Sequence, residues 1–282
     1  MAGLPLKPTA VWSVVKELRV AAEDFRPLLL TGTPELARAV HDAFVEGGDP
    51  DGVRDLSGRA PSPYDLEGAR VLVHLVAGAE ASEDDERILR LAGRKDVEVV
   101  CVLAGVPPGD VPDVPFVLAT DVVAVPPGAP LPLDTIAERV AERAGDASHQ
   151  LAAHLPALRP AVVAGIVKSF SVQNGVLGAA IFIPGADFPV LTLNQIRMVL
   201  RIGAAHGEEL DRERAVEILT VVGAGLGFRT VARQLGGVVP GLGWALKGAI
   251  AFAATRALGE AATAYFAAGG ARRLADSVRS RS

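Results

Sequence analysis

Few residues in this 282-residue chain have the types and spacing for chemistry, and the ones that invite a test are glycines and arginines, not nucleophiles. Gly32-Thr33-Pro34-Glu35 lies between an apolar run and a helical pattern, where a phosphate-binding loop sits in an α/β domain. Such a loop needs several backbone N–H groups curved around the phosphates, a Lys for the β- and γ-oxygens and a Ser or Thr for magnesium. Here Leu36-Ala37-Arg38 follows, Gly-Lys-Ser is missing, and Pro34 removes one amide donor. An ordinary strand-to-helix turn is the simpler reading, and it leaves Gly32 and Thr33 as the two cofactor-binding candidates. Val222-Gly223-Ala224-Gly225-Leu226-Gly227-Phe228 imitates a dinucleotide fingerprint, but Phe228 stands where Gly or Ala should permit close packing and the preceding run reads as helix. Gly223 with Gly227, like Gly237 with Gly241, suits close helix packing better.

Catalytic and metal constellations are missing. His41, His74, His149, His154 and His206 do not form a His-Glu-x-x-His pattern, one cysteine cannot build a usual zinc site, and no Gly-x-Ser-x-Gly elbow occurs. The expectation is therefore no catalytic residue, no metal and no cofactor. His74, on an expected strand, reads as a satisfied core histidine, and His206, before Gly207, suits a helix C-terminus. Glu83-Asp84-Asp85-Glu86 falls in the first turn of an expected helix, where the macrodipole favours acidic side chains, and reads as a solvated capping face.

Basic residues of the second half are the candidate contact groups: Arg197 and Arg201, Arg229 and Arg233, Lys247 and Arg256, followed by a tail with Arg272, Arg273, Arg279 and Arg281. Nucleic acid would call for interleaved aromatics or a stronger basic stripe, so it is not expected as a partner. A solvated helical face is one reading of these groups. Anionic lipid headgroups or a partner protein, the acidic first half included, are the others, with self-association into a homo-oligomer a further option.

Composition frames these groups. Half of the residues are hydrophobic and 22% charged, which excludes a disordered chain. The net charge of −5 divides into −11 for residues 1–150 and +6 for residues 151–282, the mark of two units with different neighbours. Cys101 lies in Val99-Val100-Cys101-Val102-Leu103 and reads as a buried thiol in a reducing compartment. Met1–Ala10 has no apolar core like that of a signal peptide, so the expected location is the cytoplasm, at or in the inner membrane if the second half takes the chain there.

The elements that would position the candidates follow from periodicity. Trp12–Phe25 is an amphipathic helix. Apolar runs at Pro27–Leu30, Val71–Val76, Val97–Leu103 and Val114–Ala119, the last continued at Val122–Val125, alternate with helical patterns at Pro34–Phe44, Glu83–Leu91 and Leu133–Ala144. Continuous apolar strands separated by amphipathic helices imply a mostly parallel sheet covered on both faces. The polar segment Gly47–Gly68 is a loop with room for one edge strand. The expected organisation is an N-terminal helix over 1–25, a Rossmann-like three-layer α/β domain over 26–146, a linker over 147–157, an all-α hydrophobic domain over 158–270 and a basic tail over 271–282. In the helical part, Thr192 is expected to cap a helix ending at Gly207 and Asp211 to cap the next, and a short helix carries Arg229 and Arg233. In the last helix Ala249, Ala253, Ala257 and Ala261 form the close-packing stripe. The longest charge-free stretch, Ser169–Ala186, contains Gln173, Asn174 and Pro184, which leaves a soluble bundle, a hairpin and an interfacial helix all open.

Pro184-Gly185-Ala186-Asp187-Phe188-Pro189-Val190-Leu191-Thr192, Asn194-Gln195-Ile196-Arg197-Met198-Val199, Ala205-His206-Gly207, Pro240-Gly241 and Thr255-Arg256-Ala257-Leu258-Gly259 with Tyr265-Phe266 together resemble a bacterial family of unknown function, the YcjF-related helical domain. The resemblance covers about residues 155–270. It implies membrane association and a preceding Era-like GTPase domain, and it supplies no catalytic residue. Under it, 70–77, 97–104 and 114–120 resemble later GTPase strands. Glu35-Leu36-Ala37 replaces Gly-Lys-Ser, and Leu103-Ala104-Gly105-Val106 stands where Asn-Lys-x-Asp would read the base. The resemblance thus implies a degenerate pseudo-GTPase in a non-catalytic scaffold. A nucleotide-binding enzyme with an atypical phosphate loop and a purely soluble helical interaction module are the alternatives.

Overall fold

The computed structural model describes residues 8–110, 112–180, 188–226 and 244–269. Contacts divide the chain into two compact units, Asp24–Val162 and Met1–Glu23 with Val163–Ser282.

The first unit is α/β and Rossmann-like. Its strands are β1 (Leu28–Gly32), β2 (Val53–Asp55), β3 (Val71–Val76), β4 (Glu98–Ala104) and β5 (Val122–Val125). All pair in parallel in the order β2-β1-β3-β4-β5. Helices α2 (Pro34–Val45), α3 (Pro63–Glu67), α4 (Glu83–Arg94) and α5 (Leu133–Ala144) connect or follow them. Leu28, Leu29, Leu30 and all of β3 are buried, as a sheet covered on both faces requires. One face packs Leu29, Leu72, Cys101 and Leu103 against Leu66 of α3 and Leu89 and Ala92 of α4.

Three sequence expectations change here. Residues 147–157 are not a linker: they form α6 (Ser148–His154) between two short 3-10 turns, and Leu151, Leu155 and Leu158 are buried in the α/β unit. Their spacing of four and three makes an apolar stripe long enough for a short helix. The run Val114–Ala119 is not a strand; only Val122–Val125 pairs with β4. Pro115 has no N–H for a ladder, and Phe116 has φ +69°, left-handed backbone that no strand contains. The helix expected at 1–25 is α1 (Pro8–Glu23), and it belongs with the helical unit, burying Val11, Val14, Val15 and Leu18.

The C-terminal part is helical, with α7 (Arg159–Ala180), α8 (Phe188–Ala205), α9 (Arg212–Leu226) and α10 (Trp244–Ala267). Thr192 lies inside α8 and is buried, so it does not cap that helix. Gly207, with φ +77°, follows the end of α8, and Asp211 Oδ1 accepts from Arg214 N at 2.7 Å at the start of α9. The α7–α10 contact uses glycines. A Cβ on Gly248 would meet Gly175 O at 2.7 Å, and one on Gly178 would meet the Ala251 Cβ at 2.8 Å. The packing face of α10 is therefore Gly248, Ala251, Thr255, Gly259 and Ala262, whereas Ala249, Ala253 and Ala257 of the expected stripe are exposed.

Candidate functional site

In the α/β unit the chain leaves β1 for the edge strand β2 and returns across β1 to β3, so the order reverses between β1 and β3. Crevices at the carboxyl ends of strands beside such a reversal are the usual ligand sites of open α/β sheets. A cleft of about 530 Å³ is found there, lined by Gly32, Thr33 and Pro34 after β1, Gly58–Pro61 after β2, and Asp84, Asp85, Arg87, Ile88 and Leu91 of α4.

The turn after β1 helps to hold the sheet end together. Gly32 has φ +94°, and a Cβ there would come within 2.0 Å of Leu75 O, so only glycine fits. Thr33 N donates to Leu75 O at 2.7 Å, Ala77 N donates to Thr33 Oγ1 at 3.0 Å, and Gly58 N donates to Gly32 O at 3.1 Å. The β3 end thus takes the amide proton of Thr33 and one acceptor site of its hydroxyl. Pro34 opens α2 without an N–H, and Glu35 brings a negative charge to its first turn. The four charged residues lining the cleft balance in sign. Arg87 pairs with Asp84 at 2.9 Å, and Arg59 lies 3.7 Å from Asp65.

Beneath the cleft lies a buried polar row that the periodicity of the strands does not reveal. Register places Thr31 beside His74 and His74 beside Cys101. His74 Nδ1 and Thr31 Oγ1 share a hydrogen bond of 2.9 Å, and His74 Nε2 lies 2.9 Å from Asp85 Oδ1. Asp85 also closes a capping box with Ser82, accepting from its N at 2.8 Å and its Oγ at 2.7 Å. The His74 hydrogen bond, with those from Ser82, holds the Asp85 carboxyl well below the usual carboxylate range. An ionised Asp85 only accepts, so Nε2 carries the proton, and in the neutral ring Nδ1 accepts from the Thr31 hydroxyl. Burial, helped by the charge of Asp85, pushes the Cys101 thiol up to about 12, which leaves it an inert core thiol. The acidic run at 83–86 is thus more than a solvated face, because its third member anchors α4 to the sheet.

The contact candidates of the helical unit do not converge. Arg197 and Arg201 both face Glu17 of α1, at 3.7 and 3.6 Å, and the Arg201 guanidinium lies 5.5 Å from the centre of the Phe170 ring. Their partner thus lies within the chain, on a carboxylate of the acidic first half. Arg256 Nε donates to Glu260 Oε1 at 2.8 Å on the same helix, and Lys247 is half-buried. Arg229 and Arg233, with the glycine pair Gly237 and Gly241, lie outside the described residues.

What the structure does bring together is a set of neutral polar groups, several of them within the motifs that carry the resemblance. Asn174 Nδ2 donates to Thr255 Oγ1 at 2.9 Å, Asn194 Nδ2 to Asn174 Oδ1 at 3.0 Å, and Gln195 Nε2 to Thr255 Oγ1 at 3.3 Å. Asn174, Gln195 and Thr255 are buried, so α7, α8 and α10 are tied by a hydrogen-bond network in their common core. Among the described residues no group of three or more His, Cys, Asp or Glu side chains could hold a metal ion.

No family model matches the chain, and no curated protein matches it. Among solved structures the chain is similar to RecJ in complex with Mn2+ from Thermus thermophilus, at 16% identity and a TM-score of 0.27. The overlap covers 84% of this chain and 41% of that one, so the chain spans less than half of that protein's length. A likeness at that level carries no argument about fold or function.

Proposed function

We propose that this chain is a non-catalytic recruitment protein: a degenerate GTPase-like α/β unit joined to a YcjF-related hydrophobic helical domain that engages a membrane. The observation that carries the reading is the outer face of α7. The segment Pro156–Ala180 has the length and apolarity to cross a membrane, and only 39% of its apolar window is buried, which is low for the core helix of a soluble protein. Val172 and Val176 stand exposed one turn apart on that helix, on a face shared with Lys168, Ser169 and Gln173, and Leu246, Ala249, Ala253 and Ala257 are exposed on α10. The proposed engagement runs through these aliphatic side chains. Among the described residues, Arg197 and Arg201 lie near Glu17 and Arg256 pairs with Glu260.

The non-catalytic part rests on the turn after β1, where no lysine is present, the Thr33 amide donates to the β3 end and Pro34 offers no donor. Vesicle flotation of the full chain tests the membrane part. The chain should float with neutral and anionic vesicles alike, and Val172→Asp with Val176→Asp should abolish flotation without changing the helical circular dichroism. A chain that stays at the bottom with every lipid composition is not a membrane recruiter.

The cleft at the β1–β3 reversal favours a second reading, residual nucleotide binding through an altered loop. Calorimetric titration of the full chain with GTP decides between the two. Micromolar affinity replaces the scaffold by a nucleotide-binding protein, whereas no heat up to millimolar nucleotide supports the scaffold.

A further inference from the structure

The α/β unit carries a surface that neither the cleft nor the helical unit explains. Phe116 has φ +69°, a left-handed backbone that Gly or Asn adopts readily and an aromatic residue rarely does. Phe116 is 57% exposed and Leu118, two residues on, is 63% exposed, so neither contributes much to the core formed by Val106 and Val114 of the same loop. Local strain and an exposed aromatic both oppose folding, and unexplained strain of this kind gathers at functional surfaces. Asp96, the other non-glycine residue at positive φ, is of a type that tolerates it and simply ends α4.

Beside Phe116 is an arginine face. Arg87, Arg90 and Arg94 are spaced three and four apart and share one side of α4, opposite buried Leu89 and Ala92. The Arg90 guanidinium lies 5.1 Å from the centre of the Phe116 ring. Arg90 and Arg94 are exposed and have no ion-pair partner among the described residues, while Arg87 holds Asp84 at the surface. The first turn of α4 is acidic, but residues 87–95 hold Arg87, Arg90, Arg94 and Lys95 and no carboxylate, so within a half of net charge −11 the C-terminal part of this helix is a local reversal of sign. An acidic partner is repelled by most of that half and steered to this place. Exposed aromatic and arginine side chains together are also the residue types that dominate binding energy in interfaces.

We propose that Phe116 and Leu118, with Arg90 and Arg94, form a docking surface for an acidic protein segment bearing an aliphatic anchor. The leucine-type anchor packs on the Phe116 ring and Leu118, and the acidic groups meet Arg90 and Arg94. This surface is separate from the apolar face of α7 and stands whether or not the chain meets a membrane.

The test uses the full chain and two fluorescein-labelled amphipathic helical peptides with the same leucine face, one otherwise rich in glutamate and one in lysine. Fluorescence anisotropy should give at least about tenfold tighter binding of the glutamate peptide. Arg90→Glu with Arg94→Glu should reverse that order. Phe116→Gly and Phe116→Asn should each weaken the glutamate peptide about tenfold, and Phe116→Asn should melt no lower than the parent because Asn tolerates the left-handed backbone. Equal binding of the two peptides, a charge-reversed chain that still prefers glutamate, or a Phe116→Asn chain that binds normally or melts lower would overturn the proposal. It is also overturned if the charge reversal removes binding to phosphatidylserine vesicles, which assigns the surface to lipid. A dimer that Phe116→Asn dissociates assigns it to a second copy, with the same consequence.

Discussion

In the α/β unit the polar network that ties α4 to the sheet is charged, with Asp85 2.9 Å from His74, whereas the network that ties α7, α8 and α10 is neutral, built from the amides of Asn174, Asn194 and Gln195 and the hydroxyl of Thr255. The backbones differ in the same sense. The turn after β1 closes on a glycine at positive φ, Gly32, and the α7–α10 contact closes on glycines that simply lack a Cβ. The difference teaches that the α4–sheet contact depends on a few irreplaceable points and on a charge, so it is expected to weaken in acid. The helical unit is specified by a distributed fit of small and neutral groups, the means by which apolar helices find one another when hydrophobicity alone selects no face.

The contrast is broken or sharpened by substitution, and the largest effect is expected at Gly32. Gly32→Ala combines a positive φ with a Cβ 2.0 Å from Leu75 O, and should cost about 4 kcal/mol in urea unfolding of the α/β unit. Next comes Asp85→Ala, which leaves His74 buried without its partner and α4 without its capping box, at about 3 kcal/mol. The same variant reads the sign of the pH dependence. Because the Asp85 carboxyl titrates below its unfolded value, its contribution is present above about pH 4 and is lost as the pH falls. Acidification should therefore lower the thermal midpoint of the parent more than that of Asp85→Ala.

Asn174→Ala should cost about 2 kcal/mol by stripping partners from Thr255 and Asn194. That cost should be the same on both sides of pH 4; an acid-dependent loss would erase the distinction between the two units. The smallest effect is expected from Arg197→Gln with Arg201→Gln. These guanidiniums lie near the single carboxylate of Glu17 across a partly exposed contact, worth under about 1 kcal/mol in calorimetry. Binding of the double variant to anionic vesicles should stay within about twofold of the parent, since the proposed membrane contact is apolar.

Much of the α/β unit was legible because strands buried on both faces must be continuous apolar runs, and Leu28–Leu30, Val71–Val76 and Glu98–Ala104 occur where such runs stand in the sequence. The run Val114–Ala119 misleads for a local reason, its proline and the left-handed Phe116, and α6 is hidden by the Gly145-Asp146-Ala147 segment before it. On α10 the error is one of phase. The helix is apolar nearly all round, so periodicity does not say which row of small residues meets α7, and Gly248 with Ala251 does so while Ala249 and Ala253 face outward. The candidate site divides likewise. The turn at Gly32 could be located and its missing donors counted from the residues alone, but its hydrogen bonds to Leu75 and Ala77 join positions more than forty residues apart.

The sequence by itself determined the parallel α/β class, the helical character of the second half, the lack of a lysine-bearing phosphate loop and the division of charge, because these depend on composition and on short-range spacing. Tertiary structure alone decided that Glu17 of α1 sits against Arg197 and Arg201, that Asp85 anchors His74, that Asn174 joins Gln195 through Thr255, and that Phe116 lies under Arg90. Each of these depends on which faces of separate elements meet, and a charge or an amide carries no mark of its distant partner until packing removes the water between them.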